Sequence, residues 1–289
     1  MKQIILILAS IMLLNSCNGV SFDGGETAGD VRTKKFTFTM KGDFDSQWKP
    51  VTRGYLAADG RDLTDVWVLD YKDGQLVQQV HQSDNTAEDF GRPVMQLTMG
   101  SHHIYFVASR GMSPILNTEQ HKLTFAKPSD TFWKDYAVEV GPTSNGNRAV
   151  TLDRVATKLR LTITDAIPQD VATLNITPVT WYYGIDYVSG EPCSPAASQP
   201  YTINIPAANI GTTNTVATIY GLSGTEEWTT NISIQGKTAT DDVRGSATIA
   251  NAPFKQNRVT EYSGPLFGSS GNMSLSLNTD WQNSYVSEW

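Results

Sequence analysis

The chain has 289 residues, a formal net charge of −7 at neutral pH, and 39% hydrophobic against 18% charged residues. This length is enough for two domains of ordinary size, each with its own core. The acidic balance, with no Lys/Arg run longer than Lys34-Lys35, argues against nucleic acid as a partner. Two cysteines, Cys17 and Cys193, are too few for a disulfide framework or a cysteine-based metal site.

In chain order, Lys2 is followed by an apolar run from Ile4 to Leu14 and then by Leu14-Asn15-Ser16-Cys17. The run is too short to cross about 30 Å of hydrocarbon as a helix and ends on a small residue and a cysteine, as an export signal does. The pattern resembles the lipobox of bacterial lipoproteins, with Leu14 three residues before Cys17 and Ser16 just before it. That resemblance implies a signal peptide over residues 1–16 and a mature N-terminus at Cys17 carrying covalent lipid. Several acyl chains, at about 0.8 kcal/mol per buried CH₂, hold a protein to a bilayer effectively for good. Lipidation leaves Cys193 unpaired, a small residue in the Pro-rich loop Glu191–Pro195. Residues 17–31 are Gly-rich and acidic, with too little apolar surface to fold, and read as a flexible tether.

From there the pattern is period two, the mark of strands with one buried side. Phe36, Phe38 and Met40 alternate with Lys35, Thr37 and Thr39. Trp67, Leu69 and Tyr71 share one face of the next strand, and Asp73-Gly74 has the sequence of a two-residue hairpin turn before Gln75–His81. On this reading Asp70–Gly74 is a turn. His102–Ala108 and Ala137–Val140 add strands. Between them lie a loop-rich stretch, Ser109–Pro128, and a single helical turn expected over Ser129–Tyr136, capped by Ser129 or Asp130.

Gly141–Asn147 is the clearest composition break, rich in turn residues. It sets the expected division into an N-terminal domain, 32–146, and a C-terminal domain, 147–289. Beyond it, Leu159, Leu161 and Ile163 point one way and Lys158, Arg160, Thr162 and Thr164 the other. Further strands are expected at Thr173–Tyr183, Tyr201–Ile205, Asn214–Leu222, Trp228–Gln235, Arg244–Ala250, Asn257–Leu266 and Met273–Trp281. Many short strands separated by turn signals predict an all-β chain that builds a β-sandwich twice.

Three stretches resemble the fimbrillin superfamily of Bacteroidales, the lipoprotein precursors of donor-strand pili and their accessory subunits. They are Thr64–Tyr71 with Gly100–Ser109, then Leu152–Leu159, then Asn257–Phe267 followed by a strand ending at Trp281. They occur in the family's order behind a lipobox and span nearly the whole mature chain. The resemblance implies two tandem sandwiches of transthyretin-like, Greek-key type on the outer membrane at the cell surface. It also implies assembly with other fimbrial subunits, and adhesion to a host or bacterial surface ligand. In polymerising members an arginine-specific protease removes the first strand, and a strand from a neighbouring subunit fills the groove. Here Phe36, Phe38 and Met40 mark the exchangeable edge strand. Arg53, in the following loop, marks the processing site, with Arg32 and Arg61 as weaker rivals. Met273, Leu275 and Leu277 supply either the last core strand or the donated one. Only Gln282–Trp289 follows Trp281, which favours a base, tip or minor subunit over a stalk subunit.

The chain carries no Gly-x-Ser-x-Gly, His-Glu-x-x-His, Gly-x-x-x-x-Gly-Lys or Gly-x-Gly-x-x-Gly spacing. Adjacent His102 and His103 should project to opposite faces of a strand, at the surface and edge, and do not chelate one ion. The pairs Glu226-Glu227 and Asp241-Asp242 fall in expected turns. The reading is therefore a non-enzymatic chain without metal and with no cofactor beyond the lipid on Cys17. The rival reading is a surface glycan-binding lipoprotein of a polysaccharide-uptake system, with Trp181, Tyr182 and Tyr183 as a platform for sugar rings.

Overall fold

A computed structural model describes residues 32–41, 63–197, 200–268 and 274–278. Among them the chain is all-β, with twenty strands, no α-helix and one short 3-10 turn. The first ten strands are β1 (Thr33–Lys41), β2 (Asp65–Lys72), β3 (Gln75–Gln82), β4 (Val94–Thr98), β5 (Gly100–Ser109), β6 (Ile115–Asn117), β7 (Lys122–Thr124), β8 (Thr131–Val140), β9 (Asn147–Thr151) and β10 (Asp153–Arg154). The rest are β11 (Ala156–Ile163), β12 (Val171–Pro178), β13 (Thr180–Asp186), β14 (Pro192–Ala197), β15 (Tyr201–Asn204), β16 (Thr215–Leu222), β17 (Trp228–Thr238), β18 (Val243–Phe254), β19 (Val259–Gly264) and β20 (Ser274–Asn278).

A three-stranded sheet, β4-β1-β9, faces a five-stranded one, β10-β8-β5-β2-β3. Between them Phe36, Phe38, Met95 and Val150 meet Val66, Val68, Ile104, Phe106 and Phe132 in one apolar core. The turn at Asp73-Gly74 has φ of 51° and 75°, the left-handed pair that a tight hairpin between twisted strands requires. Asp70 is no turn residue; it lies in β2 and is buried. The second sandwich stacks β16-β11-β19-β20 on β15-β12-β17-β18. Leu159, Leu161 and Ile163 point into its core beside Ile176, Ile219, Ile232 and Ile234, the side their alternation predicts. Lys158, expected to face solvent, is buried with its ammonium 5.7 Å from the centroid of the Tyr220 ring. The first turn of the pleat in β11 is covered on both faces, so period two does not show there.

Sheet β10-β8-β5-β2-β3 is also covered on its second face. Leu69, Tyr71, Tyr105 and Val107 pack on Leu123, Phe125, Ile185 and Tyr187, which belong to or adjoin the small sheet β14-β13-β7-β6. This explains a mistaken element: Ser129–Tyr136 holds no helical turn, because Thr131–Val140 pairs with β5 along its whole length. Phe132 enters one core while Trp133 packs on the other face, which hides the strand period. Long-range pairing decides here over the local capping signal.

Asp130 has an ionic role. Its carboxylate lies between two buried guanidiniums, with Arg154 Nε 2.7 Å and Arg110 Nη1 3.3 Å away. Arg154 also donates to Asn257 Oδ1 at 3.1 Å, which ties strand β10 of the first sandwich to the loop before β19 of the second. Both guanidiniums lie over the Phe132 ring, at 4.9 and 5.7 Å from its centroid. Removing one partner of a buried pair leaves a charge without compensation, which costs about 3–5 kcal/mol. We expect Asp130→Ala to lower unfolding stability by that amount in urea titration; a loss below about 1 kcal/mol would contradict the assignment.

Candidate functional site

The sequence of β1, Thr33–Lys41, alternates polar and apolar residues, so Phe36, Phe38 and Met40 fall on one face, with 0%, 0% and 3% of their surface exposed. The Phe38 ring meets Phe106 edge-on at 5.3 Å and Tyr136 at 6.0 Å. The strand is not at an edge. Its first half pairs antiparallel with β4, Phe36 opposite Met95, and its second half runs parallel to β9, Met40 opposite Val150. An inner strand carries two ladders, so its departure would uncover both neighbours and the apolar trough beneath. Burial of the three side chains contributes roughly 5–9 kcal/mol gross, at about 1.5–3 kcal/mol each.

The segment from the loop after β8 through β9 to Leu152 fixes the position of β1. Thr37 N–H donates to Gly146 O at 2.7 Å, and Leu152 N–H to Lys41 O at 2.7 Å. Lys34 Nζ donates to the carbonyls of Pro142 and Ser144, and the Arg148 guanidinium lies 5.3 Å from the centroid of the Phe36 ring. Gly146 passes so close that a Cβ there would collide with the Lys35 carbonyl. We expect Phe38→Ala to cost about 3–5 kcal/mol of stability in denaturant titration. Gly146→Ala should raise deuterium uptake selectively at the β1 amides; unchanged exchange there would contradict this docking.

Of the other sequence-predicted residues, Cys17, Arg53 and Met273 lie outside the described residues, as does Arg61. Leu275 and Leu277 lie on β20, whose backbone pairs antiparallel with β19, Leu275 opposite Tyr262 and Leu277 opposite Thr260. That strand is at the end of its sheet.

His102 and His103 do project oppositely, but His102 is buried and not at the surface. Its Nδ1 is 2.8 Å from Asp70 Oδ1 and its Nε2 is 3.0 Å from Thr98 O. His103 is exposed, 3.1 Å from Asp135. A second pair joins Asp65 of β2 to His81 of β3 at 2.7 Å, and Ser113 donates its hydroxyl proton to the same Asp65 oxygen. The serine bonds the carboxylate and not the imidazole, so this trio lacks the hydroxyl-to-base contact of an activated nucleophile. Burial pushes the Asp65 and Asp70 carboxyls above the ordinary carboxylate range, against the pull of their histidines. Neither pair was legible from spacing, since strand pairing brings the partners together. Glu227 accepts from Arg258, and Asp241 from Lys237 at 2.9 Å; Asp242 accepts from Thr240 at 2.9 Å. Among the described residues no group of three or more His, Cys, Asp or Glu is placed to hold a metal ion.

The aromatic run on β13 does not form one platform. Trp181 is buried against Trp228, Tyr201 and Phe254 and donates from Nε1 to Tyr220 O at 3.0 Å. Tyr182 meets Trp228 edge-on at 5.1 Å, and the half-buried Tyr183 stacks beside Tyr201.

No protein-family model matches the chain, and no curated protein matches it. Solved structures do. A candidate adhesin of Bacteroides ovatus is 11% identical and superposes with a TM-score of 0.50 over 80% of this chain and 88% of its own. A candidate polysaccharide-binding protein of Bacteroides thetaiotaomicron is 10% identical over 84% and 95%, TM-score 0.48. A fimbrial assembly protein of Parabacteroides distasonis is 9% identical over 86% and 99%, TM-score 0.45. The likeness to the first is one of fold: an all-β chain of sandwich-like domains.

Proposed function

We propose that this chain is a structural or accessory subunit of a cell-surface fimbria, exported as a lipoprotein, assembled by strand addition and supporting adhesion, with no enzymatic step of its own. The observation that carries the reading is β1: a strand with its apolar face wholly buried, set between two ladders. The fold shared with a candidate adhesin agrees with it, as do the lipobox-like Leu14–Cys17 and the ordered fimbrillin-like stretches.

On this reading Cys17 holds the precursor in the outer membrane, and cleavage after Arg53 severs β1 from the rest of the chain. The vacated groove then offers unpaired backbone groups and an apolar trough, both of which an extended segment of another subunit satisfies. The segment around Leu275 and Leu277 is the suited donor, because among the described residues β20 pairs with β19 alone.

Cys17→Ala should move the protein out of the washed membrane fraction; retention there would refute the lipid anchor. Protein sheared from the cell surface should begin at Gly54 on N-terminal sequencing, and Arg53→Ala should abolish that end. A surface form that keeps β1 in fibres of the wild-type protein would count against strand exchange.

A further inference from the structure

A second feature of the fold has no part in strand exchange. Where the end of β7 meets β13, β14 and β15, the surface opens into a cleft of about 630 Å³, inside the range of roughly 300–1,000 Å³ usual for small-ligand sites. One wall is aromatic: the rings of Tyr183 and Tyr201 lie within 14° of parallel, centroids 6.0 Å apart. Exposed Lys127 places its ammonium 5.8 Å from the centroid of the Tyr201 ring. Among the described residues the lining holds that one cation and no carboxylate, in a chain of net charge −7. Among the described residues no carboxylate is within ion-pair distance of Lys127. Thr124 and Thr202 also line the cleft, and among the described residues their hydroxyls have no hydrogen-bond partner.

The cleft is a poor template for an added peptide strand. β14 and β15 end their sheets, but β15 is four residues long and β14 contains Pro192 and Pro195, which have no N–H to donate. Ser194, opposite Tyr183, has a φ of 54°, which bends the β14 edge away from regular pairing. What remains is a π-face, spare hydroxyls and one positive charge. A pyranose ring presents a face of weakly positive C–H groups to the negative face of an aromatic ring, its hydroxyls suit threonine side chains, and a sugar carboxylate suits an ammonium.

From this geometry we infer that the Tyr183–Lys127 cleft binds a saccharide carrying a carboxylate, of the uronate or sialate type. The site supplies the adhesive contact and is independent of how the subunit enters a fibre. Calorimetric titration of the purified full chain with trigalacturonate, 3′-sialyllactose and neutral maltotriose tests it. At least one acidic sugar should bind about tenfold or more tightly than the neutral one, and which of the two acids binds separates uronate from sialate recognition. Lys127→Ala, at an exposed position, should remove that preference, and Lys127→Arg should keep it. Tyr183→Ala should weaken all sugar binding about tenfold or more, with an unchanged circular dichroism spectrum. No binding by either acidic sugar, an acid preference that survives Lys127→Ala, or binding of a peptide with no sugar binding would overturn the inference. Fibre incorporation of Lys127→Ala, expected at the wild-type level, is a separate readout, so failure here and failure of the fimbrial reading are distinguishable.

Discussion

Strands β4 and β9 share a sheet only because β1 lies between them. The first sandwich therefore depends on one segment of nine residues, held by three apolar side chains and two half-ladders of opposite sense. The antiparallel half sets the register of Phe36 against Met95, and the parallel half sets Met40 against Val150. Because a one-residue slip would turn the apolar face to solvent, burial fixes the register of β1 tightly. A segment so bound is necessary to the core, and the proposed replacement by another segment of the same pattern would have to satisfy the same backbone groups and alternate apolar positions.

The exchange proposed for β1 requires the rest of the molecule to be held together without it. β2 and β5 are buried on both faces, and the small sheet beneath them shares β13 with the second core, where Trp181 is anchored. Arg154, Asp130 and Asn257 add a polar tie at the same junction. A buried ion pair contributes little net stability but penalises any packing that separates its members. The two sandwiches are thus joined by contacts that do not involve β1. The Tyr183–Lys127 cleft is lined from the end of β7 and from β13, β14 and β15, with no residue of β1 in its described lining.

Much of this architecture was legible in the sequence, and the reasons it was can be stated residue by residue. Phe36, Phe38 and Met40, and later Leu159, Leu161 and Ile163, each have one buried face, so alternation reports them directly. The hairpin at Asp73-Gly74 was legible because only a few residue pairs tolerate two positive φ values. What the sequence concealed was burial on both faces. It made Asp70 and His102 look like turn and surface residues, made Lys158 look solvated, and hid the strand Thr131–Val140 behind a capping signal. Strand order was concealed too, since nothing local reveals that β1 is flanked on both sides. The cleft was half visible: Tyr183 stood out in an aromatic run, whereas Lys127 and Tyr201 join it only through pairing across distant segments.

The central claim is that β1 is a separable strand in a groove made for an equivalent one. A chain lacking residues 1–53, titrated with a synthetic peptide of Thr33–Lys41, tests this most directly by thermal unfolding. The account predicts a saturable rise in Tm with the wild-type peptide and none with a peptide carrying Ala in place of Phe36, Phe38 and Met40. Equal effects from both peptides, or no rise with either, would contradict it.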